Sequence, residues 1–266
     1  EVKVGLISLG CAKNLVDSEV MLGSLRQQGM ELTQNSQEAD VLIVNPCGFI
    51  EASKQESINT ILKTGELKKT GNCKALIMAG CLTQRYPKDL RQELAEVDAI
   101  VGLNEVPRIG EIVREVLAQQ SPGLYWSGPA KFVPDFNAPR FRLTPRHYAY
   151  VKIAEGCNHP CTFCSIPRIR GRHRSRPVAD VLAEMQSLVA AGWREINLIP
   201  QDTTFYGKDL TGGQDLLCEL LRKAQTIDGD FWIRLLYTHP AHWSDALIET
   251  IAACGKVCRY VDMPLQ

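Results

Sequence analysis

Short apolar runs alternate with amphipathic stretches along the first 120 residues. The apolar runs are bounded by Gly, Asn or Asp, as buried parallel strands are, and they predict strands at Val2–Leu9, Val41–Asn45, Ala75–Ala79 and Ala99–Leu103. The stretches between them have helical spacing and predict helices at Leu15–Gln28, Ala52–Lys69, Pro87–Glu96 and Glu105–Gln119. This alternation predicts an α/β fold that begins with an open parallel sheet, flavodoxin- or Rossmann-like, with helices on both faces.

The same alternation returns after a proline-rich stretch. Residues 122–145 contain five prolines, which exclude a long helix or a central strand and indicate an extended linker between domains at 1–121 and 146–266. The second domain is predicted to have strands at Tyr148–Ala154, Glu195–Ile199, Phe231–Tyr237 and Val257–Met263. Its predicted helices are Val178–Ala191, Gln214–Ala224 and Ser244–Ala253. The chain stops after the fourth strand without a closing helix, which suggests a truncated domain.

Composition narrows the class of protein. Of the 266 residues 45% are hydrophobic, which supplies a real core and excludes a disordered tail or a disulfide-stapled miniprotein. No apolar run approaches the roughly 18 residues that a membrane-spanning helix needs, and the start has no secretory signal pattern. We therefore expect a cytoplasmic protein that has no membrane partner.

Charge is balanced overall but not locally. The chain has 30 basic and 30 acidic residues, which argues against a protein that coats nucleic acid. The segment from Arg146 to Arg176 contains seven basic residues and only one acidic residue. It is expected to be either a solvated loop or a surface that binds an anionic cofactor or an RNA-rich partner. In the first predicted helix, Asp17 and Glu19 are interpreted as residues that cap and orient the helix.

Three of the ten cysteines lie close together in the second domain. Cys157, Cys161 and Cys164 have CxxxCxxC spacing directly after a predicted strand. In a reducing compartment, cysteines at such spacing are more often metal ligands than disulfide partners. A structural zinc site needs a fourth ligand, and His159 is badly placed for it because Pro160 follows. Three thiolates with one open position favour an iron–sulfur cluster.

Three further cysteines, Cys11, Cys47 and Cys81, each follow a predicted strand of the first domain. The carboxyl ends of parallel strands meet at one edge of a sheet, where ligands bind, so these residues are expected to converge on a second cluster. The alternative is that each is a small buried hydrophobe, as a thiol often is. The four remaining cysteines, Cys73, Cys218, Cys254 and Cys258, are interpreted as core or surface thiols.

Four segments carry a resemblance to a known family. They are LGCAKNLVDSE at 9–19, CGFIEAS at 47–53, LTPRHYAYVKIAEGCNHPCTFCSIP at 143–167 and QDTTFYG at 201–207. Together with Phe163 before the last cysteine, they resemble the radical S-adenosylmethionine (radical SAM) methylthiotransferases. They are more similar to the branch that modifies an aspartate of the small-subunit ribosomal protein S-twelve than to the branch that modifies tRNA adenosine. Pro46 and Pro160 depart from the usual residues of the family but remove no ligand.

The resemblance implies an enzyme that adds a methylthio group to the aspartate β-carbon, with two [4Fe–4S] clusters. SAM would serve as methyl donor and, on the open iron of the cluster of Cys157, Cys161 and Cys164, as radical source. The implied partners are protein S-twelve or the small ribosomal subunit and a flavodoxin- or ferredoxin-like electron donor. The second domain would be an incomplete (β/α) barrel, normally followed by a small β-barrel domain that binds RNA or protein.

Four residues are expected to contact SAM: Phe163, Gln201, Asp202 and Arg234. The alternative for Arg234 is an ordinary ion pair within the barrel. Three other functions remain open: a tRNA methylthiotransferase, a cluster carrier or scaffold without SAM chemistry, and a zinc-stabilised α/β protein. A carrier normally has four cysteine ligands per cluster, so the three-cysteine motif argues against it.

Overall fold

The computed structural model describes residues 1–119 and 123–264. They form two compact units. The first unit comprises Glu1–Phe132, Ala138–Phe141 and His159–Gly171. The second unit comprises Val133–Asn137, Arg142–Asn158 and Arg172–Gln266. Two short segments that follow the first 132 residues therefore pack with the first unit.

A six-stranded, fully parallel sheet forms the centre of the first unit, with the strand order 2-1-3-4-5-6. The first five positions have the order of flavodoxin-like folds, in which ligands bind between β1 and β3. The strands are β1 (Lys3–Ser8), β2 (Glu31–Thr33), β3 (Val41–Asn45), β4 (Ala75–Ala79), β5 (Ala99–Val101) and β6 (Gly123–Tyr125). The open parallel sheet predicted from the sequence is confirmed, and β3 and β4 have the predicted bounds.

Seven α-helices belong to the described part of the first unit. They are α1 (Ala12–Gln27), α2 (Glu51–Gly65), α3 (Leu67–Thr70), α4 (Cys81–Arg85), α5 (Pro87–Glu93), α6 (Ile109–Gln119) and α7 (Ile166–Arg170). A 3₁₀ helix at Leu103–Arg108 replaces the first turn of the helix predicted at Glu105–Gln119. Pro107 lies inside this 3₁₀ helix, and the regular helix begins only at Ile109.

Apolar residues cover both faces of this sheet. Every residue of β3 and β4 is buried, and their side chains alternate between two apolar clusters. Val41 and Ile43 face the cluster that includes α1 and α6, whereas Leu42 and Val44 face the cluster that includes Ile61 of α2. Burial on both faces explains why these strands read as continuous apolar runs.

The helix α1 is buried around most of its surface and yet carries polar side chains. Its polar groups have partners from distant parts of the chain. Ser18 Oγ donates to Ser8 Oγ at 2.8 Å, and Ser24 Oγ donates to the Pro107 carbonyl at 2.7 Å. Glu19 pairs with Arg140, and its carbonyl accepts the N–H of Phe141 at 2.9 Å. These contacts hold the segment Ala138–Phe141 against α1.

The second unit contains a parallel three-stranded sheet of order β11-β10-β7 and a short antiparallel pair, β8 with β9. The strands are β7 (Tyr148–Lys152), β8 (Ala154–Glu155), β9 (Arg174–Ser175), β10 (Glu195–Ile199) and β11 (Trp232–Leu235). The helices are α8 (Val178–Ala190), α9 (Lys208–Thr211), α10 (Leu217–Ala224) and α11 (Asp245–Ala253), with 3₁₀ helices at Thr203–Phe205 and Pro240–His242. Strand and helix alternate as predicted.

The prediction of a strand at Val257–Met263 is wrong, because the described part of this segment forms no strand. Val257 makes one isolated bridge to Ile233, and the ladder does not extend beyond it. The Cys258 N–H donates to the Ile233 carbonyl at 2.8 Å, and the Thr238 N–H donates to the Asp262 carbonyl at 2.9 Å. Between these contacts β11 has already ended at Leu235, so the segment runs beside the strand without forming a continuous ladder.

Across the described residues, no helix combines the length and the apolar character needed to traverse a bilayer.

Gly23 tests the packing of Ala138–Phe141 on α1. A Cβ at Gly23 would lie 2.4 Å from the Pro139 carbonyl oxygen, a backbone atom that cannot rotate away. We expect Gly23→Ala to lower the free energy of unfolding by about 1–3 kcal/mol because of this overpacking, despite the better helix propensity of alanine. Thermal unfolding followed by circular dichroism measures the change.

Gly255→Ala is the matched control, because a Cβ there meets nothing within 4 Å. Its unfolding free energy should change by less than about 0.5 kcal/mol. Equal melting curves for the two variants would contradict the close contact between α1 and Pro139.

Candidate functional site

The cysteines of the first unit follow three neighbouring strands at the same edge of the sheet. Cys11 lies just after β1, Cys47 just after β3, and Cys81 is the first residue of α4, just after β4. In the ladder Ser8 lies opposite Asn45, so the ends of β1 and β3 are level. The three thiols therefore follow the carboxyl ends of β1, β3 and β4, where open α/β sheets bind ligands.

Two glycines allow the cysteine-bearing loops to approach each other closely. Gly10 has φ +88°, and a Cβ built on it would lie 3.2 Å from Cys47 Sγ. A Cβ on Gly48 would lie 2.8 Å from the Leu82 Cα, beside Cys81. The loops after β1 and β3 thus touch, as do those after β3 and β4. Three thiols on loops that follow neighbouring strands offer the ligand chemistry of an iron–sulfur cluster.

Burial differs sharply among these thiols. Cys11 is exposed, Cys47 is half-buried and Cys81 is buried. Burial raises the pKa of the Cys81 thiol to about 12; the nearby Arg170 charge acts in the opposite direction, and Cys11 raises the pKa further. The Cys81 thiol donates to Asn14 Oδ1 at 3.1 Å. Without a metal, Cys81 is therefore a protonated thiol at neutral pH.

The basic stretch between Arg146 and Arg176 does not form one continuous surface. Lys152, Arg170 and Arg176 are buried and ion-paired. The expectation of a basic surface is wrong for these three because each has a carboxylate within 2.8 Å: Glu155 for Lys152, Asp17 for Arg170 and Glu184 for Arg176. Asp17 and Glu19 likewise hold buried arginines, Arg170 and Arg140, instead of capping α1.

The CxxxCxxC motif lies on the connection between β8 and α7. All three cysteines are half-buried, and the Cys164 N–H donates to the Cys161 carbonyl at 3.1 Å. Cys157 is counted with the second unit, and Cys161 and Cys164 with the first. Phe163, between the last two cysteines, has 70% of its surface exposed. An aromatic ring so exposed is available to a planar ligand.

Gln201 holds the start of this motif. It follows β10, and its Oε1 accepts the Gly156 N–H at 2.6 Å, while its Nε2 donates to Glu155. Glu155 in turn pairs with the buried Lys152 at 2.6 Å. The residue before Cys157 is therefore tied to the sheet through Gln201.

Asp202 is buried with both carboxylate oxygens engaged. Oδ1 accepts from the Thr204 hydroxyl at 2.6 Å, and Oδ2 lies 2.8 Å from His242 Nδ1. No local sequence pattern distinguishes His242, because it lies 40 residues away from Asp202 along the chain. An oriented carboxylate–imidazole pair at the carboxyl end of β10 is the feature that sequence reasoning missed.

Arg234 forms the ion pair that was its alternative interpretation. Its Nε lies 3.1 Å from Glu195 Oε1, and its guanidinium lies over the Tyr260 ring at 4.8 Å. The hydrogen bond from Arg234 to Glu195 is the main cause of the lowered pKa of the Glu195 carboxyl. Glu195 is the first residue of β10, whereas Gln201 and Asp202 follow the other end of that strand. Arg234 is thus engaged at the amino end of β10.

Two family models match separate parts of the chain. Residues 3–102 match UPF0004, described as an uncharacterized protein family, and residues 151–266 match the radical SAM superfamily. The chain is also similar to a solved radical SAM methyltransferase, TsrM from Kitasatospora setae, with a TM-score of 0.62 and 13% identity over 96% of this chain and 58% of that one. At this identity the likeness supports the fold alone.

Curated relatives match throughout the sequence. The chain is 54% identical over its full length to the ribosomal protein uS12 methylthiotransferase RimO of Opitutus terrae, and covers 61% of that protein. It is 51% identical over 99% of its length to the protein of the same name from Geobacter sulfurreducens, and covers 59% of it. The chain thus spans about three fifths of the length of these relatives.

The difference in burial between Cys11 and Cys81 predicts different reactivity in the metal-free protein. At pH 8 iodoacetamide should modify Cys11 much faster than Cys81, because the thiolate is the nucleophile and burial suppresses the Cys81 thiolate. Tryptic peptides separate the two, since residues 4–13 and 75–85 each contain one cysteine. Peptide mass spectrometry over time gives both rates.

Cys73, also buried and with its pKa raised by burial, is an internal comparison and should react as slowly as Cys81. In urea all three should react alike. Equal rates for Cys11 and Cys81 in the folded protein would contradict the burial of Cys81.

Proposed function

The chain belongs to the radical SAM methylthiotransferase family, and from this premise we propose that it acts on an aspartate of ribosomal protein S-twelve. The proposed reaction adds a methylthio group to the aspartate β-carbon. The relatives that share about half of its residues are named as methylthiotransferases of ribosomal protein uS12, which supports the choice of protein. The proposed place of action is the cytoplasm, with a flavodoxin- or ferredoxin-like protein as electron donor.

The proposed ligands of one [4Fe–4S] cluster are Cys11, Cys47 and Cys81. The observation that carries this proposal is the position of the three thiols after β1, β3 and β4, on loops that Gly10 and Gly48 allow to touch. A donor set of three thiols suits an iron–sulfur cluster and is unlike the oxygen ligands of a magnesium or calcium site.

The proposed ligands of a second [4Fe–4S] cluster are Cys157, Cys161 and Cys164, which leave one iron for SAM. When bound, the clusters and SAM supply the methyl group, an electron and the radical that breaks the β C–H bond. No side-chain base removes the hydrogen of an unactivated C–H bond at neutral pH. The role of the protein's own residues is therefore to bind and orient the cofactors and the substrate. Gln201 fixes the residue before Cys157 through its bonds to Gly156 and Glu155.

The proposed SAM contacts are Phe163, through its exposed ring, and Gln201 and Asp202 at the carboxyl end of β10. Asp202 would hold a donor group of SAM in the orientation that Thr204 and His242 impose on its carboxylate. The ion pair between Arg234 and Glu195 favours a structural role for Arg234. These groups hold the reactants in fixed geometry, which is the main contribution of a protein to cofactor chemistry.

Iron counting tests the two proposed clusters. After anaerobic reconstitution, the chain should hold about eight irons, and Cys157→Ala/Cys161→Ala/Cys164→Ala should hold about four, because each set of three thiolates binds its own cluster. Cys11→Ala/Cys47→Ala/Cys81→Ala should also hold about four. Cys258→Ala, a half-buried thiol outside both sets, is the control and should match the unaltered chain.

Zinc in place of iron would refute the cluster proposal. Only about four irons in the unaltered chain, all lost in the Cys157 triple variant, would also refute it, because Cys11, Cys47 and Cys81 would then be ordinary core residues.

The substrate is tested with the complete natural protein in a strain that lacks its gene. Peptide mass spectrometry should find the methylthio group on an aspartate of protein S-twelve only after complementation. A methylthio group that returns to tRNA adenosine instead would refute the aspartate substrate and identify the tRNA-modifying relative. A Cys157→Ala variant of the complete protein is the control and should restore neither modification.

A further inference from the structure

The guanidinium of Arg170 makes an unusual set of buried contacts. Arg170 is the last residue of α7 and is 2% exposed. Its Nη2 donates to Cys81 Sγ at 3.0 Å and to Asn14 Oδ1 at 2.6 Å, and its Nη1 lies 2.8 Å from Asp17 Oδ2. One cation thus contacts a carboxylate, an amide oxygen and a sulfur.

A buried guanidinium is costly to desolvate, so its charge must be compensated by a partner and its N–H groups by hydrogen-bond acceptors. Asp17 compensates its charge, and Asn14, whose Nδ2 donates to the Leu9 carbonyl at 3.1 Å, fixes its orientation. These two partners account for burial and position. Sulfur is a weaker acceptor than oxygen, so the contact with Cys81 adds little to the stability of the fold.

We propose that Arg170 is a positioning residue for the cluster bound by Cys11, Cys47 and Cys81, and that it raises the reduction potential of that cluster through its hydrogen bond to the Cys81 sulfur. This inference rests on the proposed function, in which Cys81 is a cluster ligand. Arg170 lies among the residues that match the radical SAM superfamily, yet it packs with the first unit.

The direction of the effect follows from charge. One-electron reduction adds negative charge to a cluster and its thiolates, and hydrogen bonds to the sulfurs favour the reduced form. The buried guanidinium therefore makes reduction easier, and the carboxylate of Asp17 opposes it, because both charges act at Cys81 in a medium of low polarity. Removal of either charge should move the potential, in opposite directions.

The experiment isolates the proposed first cluster in Cys157→Ala/Cys161→Ala/Cys164→Ala, the parent. Each reconstituted protein is titrated anaerobically with dithionite and mediators, and the reduced cluster is quantified by electron paramagnetic resonance. We expect Arg170→Gln to shift the midpoint potential to a more negative value than that of the parent. Asp17→Asn should shift it to a more positive value.

Arg140→Gln is the matched control. Arg140 is also buried, and it pairs with Glu19 on the same helix that carries Asp17. Its loss removes a second ion-paired guanidinium, on a side chain that is 7% exposed. We expect this variant to keep the midpoint potential of the parent, even where its stability falls.

The outcomes separate this inference from the proposed function. A parent that binds no iron refutes the cluster of Cys11, Cys47 and Cys81 and the role of Arg170 with it. A parent that binds about four irons, with an unchanged potential in Arg170→Gln, refutes the role of Arg170 alone. If Arg170→Gln does not fold, Asp17→Asn decides, and an unchanged or more negative potential there refutes the inference. A shift in Arg140→Gln equal to that in Arg170→Gln also refutes it.

Discussion

The parallel pairing of β1, β3 and β4 is the constraint on which the first unit depends. Parallel strands end at the same edge, and the register that places Ser8 opposite Asn45 keeps the ends of β1 and β3 level. Because a strand alternates its side chains, a slip of one residue would exchange the two apolar faces of β3. The core thus fixes the register, and the register fixes where the three cysteine-bearing loops begin.

Burial of α1 imposes a second requirement, because polar side chains inside a protein need partners. Asp17 and Glu19 find theirs in Arg170 and Arg140, which lie more than one hundred residues further along the chain. The two short segments that carry these arginines, Ala138–Phe141 and His159–Gly171, pack with the first unit. Ion pairs thus link α1 to one segment within the proline-rich stretch and to a second segment beyond it.

In the second unit, the start of the cysteine motif is held by polar contacts. Lys152, Glu155 and Gln201 form a connected group, and Gln201 also receives the Gly156 N–H. The loop that leads into Cys157 is thus supported by side chains from β7, from β8 and from the segment that follows β10. A ligand in a motif of this kind depends on such supporting contacts for its orientation.

The sequence alone determined the parallel α/β fold of the first unit and the bounds of β3, β4 and β10, because buried strands are continuous apolar runs between turn residues. It also identified the candidate cysteines, since close spacing and the position after a strand are local properties. Only the tertiary structure decided which charges are buried. Whether Arg170 meets solvent or Asp17 depends on packing between distant segments, and no local pattern encodes that. For the same reason the pair of Asp202 and His242, and the failure of Val257–Met263 to form a ladder, became visible only in the folded chain.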